Sequence, residues 1–222
     1  MQIEPMETAD EWRCWLSESE QEQLLDTADP RDDEDDPRRL LALELMLDGL
    51  RSEEVTRVCK SDVRSLDADE ERYYLRVWES KTGFREAPIS TETKDRIYML
   101  ASMPGTSQDD PLVDVTPRTV QRWVSNKDRT GAADALANPT GEDDEEDYKG
   151  DLDWLKVSAH DLRRTWATMA YYRLIANGGT NDVREVIMRW GGWDDEDTFR
   201  SNYLGRVPDS LAADMMQAAG LA

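Results

Sequence analysis

Cysteine is nearly missing from this sequence. Only Cys14 and Cys59 occur in 222 residues, far apart and without CxxC spacing, which argues against a disulfide framework and a zinc site. Both are expected to be buried, inert thiols. Long apolar runs are missing too: no stretch approaches the roughly eighteen residues of a membrane-spanning helix, and no basic-then-apolar signal region opens the chain. A soluble, cytoplasmic protein with no membrane partner is expected. Lysine is scarce, six residues against 21 arginines, and His160 is the only histidine. What the sequence has in excess is carboxylate: 49 Asp and Glu against 27 Lys and Arg, a net charge of -22.

At face value such a charge repels nucleic acid, itself a polyanion. The carboxylates are spread over almost every segment, however, and not gathered in a tail. A pervasive acidic coat with few lysines matches halophilic proteins that work in molar KCl, where the Debye length shrinks to about 3 Å. Under that screening repulsion from DNA fades, and so does counterion release, the usual driver of DNA affinity. Binding then has to rest on short-range bidentate contacts and shape, for which arginine is the suited base.

The length allows one large domain or two small ones, and a single domain over 1–222 is expected, with a core at 12–207 and a tail helix at 208–222. Within Trp12 to Asp29, Ser17 and Glu20 are spaced as a capping box that launches a short entry helix. The acidic run Arg31 to Asp36, closed by Pro37, is a solvated loop, and Arg38 to Leu50 a second helix ending at Gly49. A short helix follows over Ser52 to Val63. Tyr73 to Trp78 and Phe84 to Ile89, bounded by turn-rich segments, predict a small antiparallel sheet. Helices are expected again at Thr91 to Ser102 and Thr116 to Leu136, with Pro117 at a first helical position, then an exposed loop over Asn138 to Asp151. The remainder predicts helices at His160 to Ala176, Asn181 to Trp190, Asp195 to Leu204 and Pro208 to Ala219, broken by Gly178-Gly179 and Gly191-Gly192. The class is mainly α with a small antiparallel sheet, an α+β fold.

Three segments bear on chemistry. In Ser158 to Thr168 (SAHDLRRTWAT), His160 and Arg163 are three apart and share a helical face. Alone, such a pair is more often a helix cap beside a surface arginine. In Leu47 to Val55 (LDGLRSEEV), Arg51 follows a glycine at a corner between helices, with Glu54 three residues on to orient its guanidinium. The plain alternative is a surface ion pair worth under about 1 kcal/mol. In Met188 to Gly205 (MRWGGWDDEDTFRSNYLG), two glycines set a tight turn before Trp193, and Tyr203 follows ten residues later. Either aromatic alone is ordinarily core packing.

Taken in this order, the GLR, HxLR-like and GGW-to-Tyr boxes resemble the tyrosine recombinases, the phage-integrase family, and here a halophilic archaeal or archaeal-virus type. The resemblance spans nearly the whole chain and implies that family's catalytic-domain fold. It implies a reaction in which DNA is cut and rejoined through a covalent 3′-phosphotyrosine, with no metal or cofactor. It also implies roles: Arg51 as the first arginine with Glu54 supporting it, His160 and Arg163 as the HxxR pair, Trp193 at the His/Trp position, and Tyr203 as nucleophile. Lys81, in the turn KTGFREAP, falls where the family carries a lysine. The residue types fit this chemistry on their own terms. Two guanidiniums suit the charge that develops on the non-bridging oxygens of an attacked phosphodiester. A free phenol ionises near about 10, so a nucleophilic tyrosine needs a base or positive charge beside it. The departing 5′-oxygen needs a proton, for which Lys81 is placed.

Two departures stand out. The interval from Trp193 to Tyr203 is about one residue longer than in common bacterial members, and the family's N-terminal DNA-clamping domain of about a hundred residues is expected to be absent. The second departure favours a different reading, in which the fold serves as a catalytically inactive DNA-binding or partner-binding regulator. Presence of all six expected positions favours the enzyme. The partners implied are double-stranded DNA, other copies in a tetramer on DNA with a monomer in solution, and a separate clamping or accessory protein. The tail helix, docked on its own domain or on a neighbour, is the candidate assembly element.

Overall fold

In the computed structural model, which describes residues 1–6, 11–28, 36–125, 128–178 and 182–221, the chain opens as a hairpin. β1 (Gln2–Pro5) and β2 (Trp12–Trp15) pair antiparallel, Gln2 opposite Trp15 and Ile3 opposite Cys14. Aromatic residues at both ends of WRCW favour an extended chain once a partner strand is at hand. The short entry helix launched at Ser17 is α1 (Glu18–Ala28). The capping box is present: the Ser17 N–H donates to Glu20 Oε2 at 2.7 Å and the Glu20 N–H to Ser17 Oγ at 3.4 Å.

Most of the acidic run, 31–35, lies outside the described residues. Asp36 caps α2 (Pro37–Leu47), accepting the Arg38 N–H at 3.0 Å, with Pro37 in the first turn where its missing N–H costs nothing. Buried residues run unbroken from Leu40 to Met46, so α2 is enclosed by the core on all sides. Its end is set at Gly49, whose φ is +89°; a Cβ there would stand 2.5 Å from the Trp166 ring, so the turn needs glycine twice over.

The helix expected over Ser52 to Val63 is a single turn, α3 (Ser52–Val55), followed by a 3₁₀ turn (Lys60–Asp62) and β3 (Val63–Ser65). Backbone groups in this stretch bond elsewhere: the Leu112 N–H donates to the Val58 carbonyl at 2.9 Å and the Ser61 N–H to that of Gln108 at 3.0 Å. β4 (Tyr73–Val77) and β5 (Arg85–Ile89) form the expected pair, and β3 adds a third strand, in the order β3-β4-β5. Leu75 and Val77 face the core from β4, Ala87 and Ile89 from β5.

α4 (Thr91–Ala101) matches its expected span and is capped by Ser90, which accepts the Thr93 N–H. The long helix expected from Thr116 is two: α5 (Pro117–Val124) and α6 (Ala132–Ala137). Ser125 is extended, and Gly131 passes so close to the Val124 carbonyl that a Cβ would lie 2.4 Å from its oxygen. The loop after α6 is largely exposed, as expected, but is closed on itself by Asn138 with Glu142 and by the Gly150 N–H on the Ala137 carbonyl.

α7 (Ala159–Ala176), α8 (Val183–Gly191), α9 (Glu196–Asn202) and α10 (Asp209–Ala218) complete the chain; 179–181, within the expected Gly-rich break, lie outside the described residues. α10 lies along α7 with none of its side chains buried. Cys14 is buried as expected, whereas Cys59 is only half-buried, because its segment lies on the surface turn before β3. No described helix is long and apolar enough to cross a membrane. The fold is mainly helical with two small antiparallel sheets.

Candidate active site

The Asp161 carboxylate accepts the backbone N–H of Ser158 at 2.8 Å and its hydroxyl at 2.6 Å, which fixes the start of α7. From that start His160 reaches the cleft wall and Arg163 points inward, 1 % exposed. The surface-arginine reading of the pair is thereby excluded.

Arg163 donates to the carbonyls of Gly49 and Gly191, the turns that end α2 and α8. Arg51, directly after the first turn, donates to Glu54 Oε1 at 2.8 Å and to the Gly192 carbonyl at 2.9 Å, while its own backbone N–H donates to Glu54 Oε2 at 2.8 Å. Glu54 is 5 % exposed, so this pair is not the superficial one that the sequence also allowed. A third guanidinium joins them: Arg85, buried on β5, donates to Glu54 Oε2 at 2.6 Å and to the Trp190 carbonyl. Three consecutive carbonyls at the end of α8, those of Trp190, Gly191 and Gly192, are thus each capped by a different arginine. These are the orphan acceptors of a helix C-terminus, where positive charge is favoured.

Arg85 was missed at the level of sequence. Its signal was present: it alternates with Ala87 and Ile89 on the inward side of a strand, and an inward arginine is buried only when paired. Arg164, also buried and paired with Asp161, was missed as well, and its stripe on α7 (Asp161, Thr165, Thr168) is legible only once the neighbouring segments are in place.

The glycines before Trp193 act as expected. Gly192 is left-handed, with φ +69°, and the Trp193 N–H closes the turn on the Met188 carbonyl at 2.9 Å. A Cβ on Gly191 would stand 1.8 Å from the Trp193 ring. Trp193, 8 % exposed, lies with the Arg163 guanidinium carbon 4.2 Å from its ring centre, and Tyr203, 7 % exposed, meets it edge-on at 4.5 Å between centroids. The His160 and Tyr203 rings are 5.2 Å apart.

A cleft of about 790 Å³ opens onto this cluster, lined among others by Arg51, Glu54, Lys81, His160 and Arg163. Lys81 is exposed at the β4–β5 turn on its rim. Tyr203 and Trp193 sit behind the wall and do not line it. The structure therefore brings six of the seven expected positions into one cluster, with Lys81 at the cleft mouth.

Electrostatically the cluster is over-positive. Arg51, Arg85 and Arg163 face a single carboxylate, Glu54. Burial would raise Glu54, but Arg85, Arg163 and its hydrogen bonds outweigh that and hold it below the ordinary range. Burial, then the charges of Arg51 and Arg85, push Arg163 down to about 9. His160 is open to the cleft on one side, yet desolvation by the packed wall, followed by Arg164, Arg163 and Arg51, pushes its imidazole down to about 3. It is neutral at pH 7. Arg163 Nε and Trp193 Nε1 are buried donors with no hydrogen-bond partner among the described residues. Surplus charge and orphan donors together describe a site for an anion. No group of His, Cys, Asp and Glu side chains spaced to hold a metal ion occurs among the described residues.

Neither a protein-family model nor a curated protein sequence matches the chain. Solved structures do match by fold. The XerA recombinase superposes with a TM-score of 0.59 at 20 % identity, over 93 % of this chain and 65 % of that one. The XerH site-specific recombinase bound to a palindromic difH substrate, in a post-cleavage complex, gives 0.59 at 13 % identity, over 96 % and 55 %. The Tn1549 transposon integrase in complex with transposon right-end DNA gives 0.55 at 17 % identity, over 96 % and 68 %. The chain thus spans less than two thirds of the length of the first two. In architecture, this protein has the fold of the tyrosine recombinase catalytic domain.

Proposed function

We propose that this protein is a site-specific DNA recombinase or integrase that breaks and rejoins DNA through Tyr203. The observation that carries this reading is the surplus of buried positive charge in a chain of net charge -22, gathered beside one tyrosine. Three arginines around one carboxylate leave a surplus of positive charge that a bound anion would balance.

In the proposed reaction the Tyr203 phenolic oxygen attacks the scissile phosphorus and the bond to the 5′-oxygen breaks. The phenolic proton passes to His160, whose ring lies 5.2 Å from that of Tyr203. Lys81 gives a proton to the departing 5′-oxygen from the hairpin turn. Arg51 and Arg163 take the charge on the non-bridging oxygens, with Glu54 orienting Arg51, the Gly49 and Gly191 carbonyls holding Arg163, and Trp193 packing against the Arg163 guanidinium. The phosphodiester is conserved as a 3′-phosphotyrosine, so attack by a 5′-hydroxyl runs the same steps backward and rejoins the strand.

The substrate is double-stranded DNA, two duplexes exchanged within a tetramer, with a monomer in free solution and a separate clamping protein assisting. Molar KCl is the proposed working medium, since its screening removes the repulsion between the acidic coat and DNA. One observation favours the second reading, a regulator that binds without cutting: Tyr203 lies behind the cleft wall.

Covalent trapping separates the two. The protein is incubated in molar KCl with nicked or phosphorothiolate-containing DNA from its own locus, beside Tyr203→Phe. A DNA-linked band in the wild type that is absent from the variant is the expected result. DNA binding without a band would replace the enzyme reading by the regulator.

A further inference from the structure

The segment that carries Tyr203 is held by much more than its own helix. α9 is seven residues long and buries only Phe199, too little to place its C-terminal end by packing. Two other elements do so instead. From the N-terminal hairpin, Arg13 donates to the Ser201 carbonyl at 2.7 Å and to Asn202 Oδ1 at 3.0 Å, and Trp15 Nε1 donates to the Tyr203 carbonyl at 2.9 Å. From α7, Arg164 Nε donates to the Asn202 carbonyl at 2.9 Å, and the Thr168 hydroxyl donates to the Tyr203 carbonyl at 2.8 Å while accepting the Gly205 N–H at 2.9 Å. Gly205 passes so near Trp15 that a Cβ would lie 2.9 Å from its ring.

The hairpin is in turn fastened to α7: the Cys14 N–H donates to Asp161 Oδ1 at 3.0 Å and the Leu16 N–H to Thr165 Oγ1 at 2.9 Å. One helix therefore carries His160 and Arg163 toward the cleft while its Asp161, Arg164, Thr165 and Thr168 grip the hairpin and the Tyr203 backbone. The Tyr203 carbonyl, an orphan of the α9 C-terminus, is met by donors from two directions, which fixes the Tyr203 backbone and leaves the ring only its own torsions.

We infer that Arg13, Trp15 and Thr168 are positioning residues for Tyr203: the N-terminal hairpin and α7 form a clamp that sets the phenol against His160. This rests on the reading of Tyr203 as the nucleophile. None of the three lines the cleft that holds Arg51 and His160, so their effect on chemistry has to pass through the backbone they hold.

The experiment uses the full chain with Arg13→Ala, Thr168→Val and, as the conservative partner, Thr168→Ser; Trp15 is left intact because its buried ring also packs the core. Hydrogen–deuterium exchange is read on peptides covering 199–206, with α4 peptides as internal reference. Exchange there is expected to rise about tenfold in Arg13→Ala and Thr168→Val and to stay at the wild-type rate in Thr168→Ser. The rate of covalent adduct formation is expected to fall about tenfold at unchanged DNA affinity, with Thr168→Ser restoring it. Unchanged exchange in both variants overturns the clamp, and faster exchange with an unchanged adduct rate overturns its positioning role. No adduct even in the wild type, with the exchange difference intact, sinks the nucleophile reading and leaves the clamp standing.

Discussion

The larger hydrophobic cluster, built around α2, is mostly aliphatic, with Leu40, Leu41, Leu43, Leu45 and Leu50 beside Val55, Leu75 and Ile97. The smaller cluster holds Trp166, Trp193, Phe199 and Tyr203 beside Val183 and Ile187, and its rings meet at defined angles. The first is filled by volume and stabilised through buried area. The second is organised around rings with polar handles and around an arginine cluster that no apolar packing would assemble. Aliphatic packing and the ring-and-arginine cluster thus occupy different parts of one molecule, joined by α7, whose Leu162 belongs to the first cluster and Trp166 to the second.

Substitutions that separate these two regions follow, in falling order of effect. Glu54→Gln removes the only carboxylate among three arginines, and an unfolding titration should show a loss of about 3–5 kcal/mol, the cost of stranding a buried charge. Leu41→Ala, wholly within the aliphatic core, should cost about 2–5 kcal/mol in the same assay. It should leave the His160 resonance in place, which is easy to follow because no other histidine overlaps it. Gly191→Ala drives a methyl into the Trp193 ring; a destabilisation of about 1–3 kcal/mol should come with a displaced His160 signal and loss of the DNA adduct. A shift in the Leu41 variant, or none in the Gly191 variant, would break the division between the regions.

The pH responses of the two regions have opposite signs. In the main core, half-buried Asp48 caps β5 and α4 through the Ser90 N–H and Thr93 hydroxyl, and desolvation outweighs those bonds to push it up to about 7. A carboxyl raised in the folded state gives stability that is full below the unfolded value near about 4 and is lost as pH rises through 7. In the site, His160 is lowered, so its share is present above about 6.5 and is lost as pH falls toward 3. Asp48→Asn should flatten the decline between pH 4 and 7 in thermal melts. A histidine titration by NMR should show no protonation between pH 8 and 5, and a midpoint near 6 would contradict the electrostatics of the cleft.

Much of this was legible in the chain. Arg51, Glu54, His160, Arg163, Trp193 and Tyr203 were each singled out from short local patterns, because glycine turns and helical spacing are written in consecutive residues. Arg85 and Arg164 were not, since what makes them matter is carbonyls 105 and 38 residues away. The same reason explains the errors in the fold. Thr116 to Leu136 reads as one helix because the reversal at Gly131 depends on contact with Val124. Local chemistry is readable in one dimension, whereas pairing has to be seen.

The three carbonyls at the end of α8 give the site a resident competitor. Arg51, Arg85 and Arg163 each donate to the protein's own backbone, so an arriving anion meets donors that must be shared or exchanged. Its net affinity is the difference between two sets of charged hydrogen bonds, and each exchange loosens the turn that carries Trp193. A site built this way recognises its ligand by geometry while gripping it only modestly, which on the proposed reading lets the joined product leave.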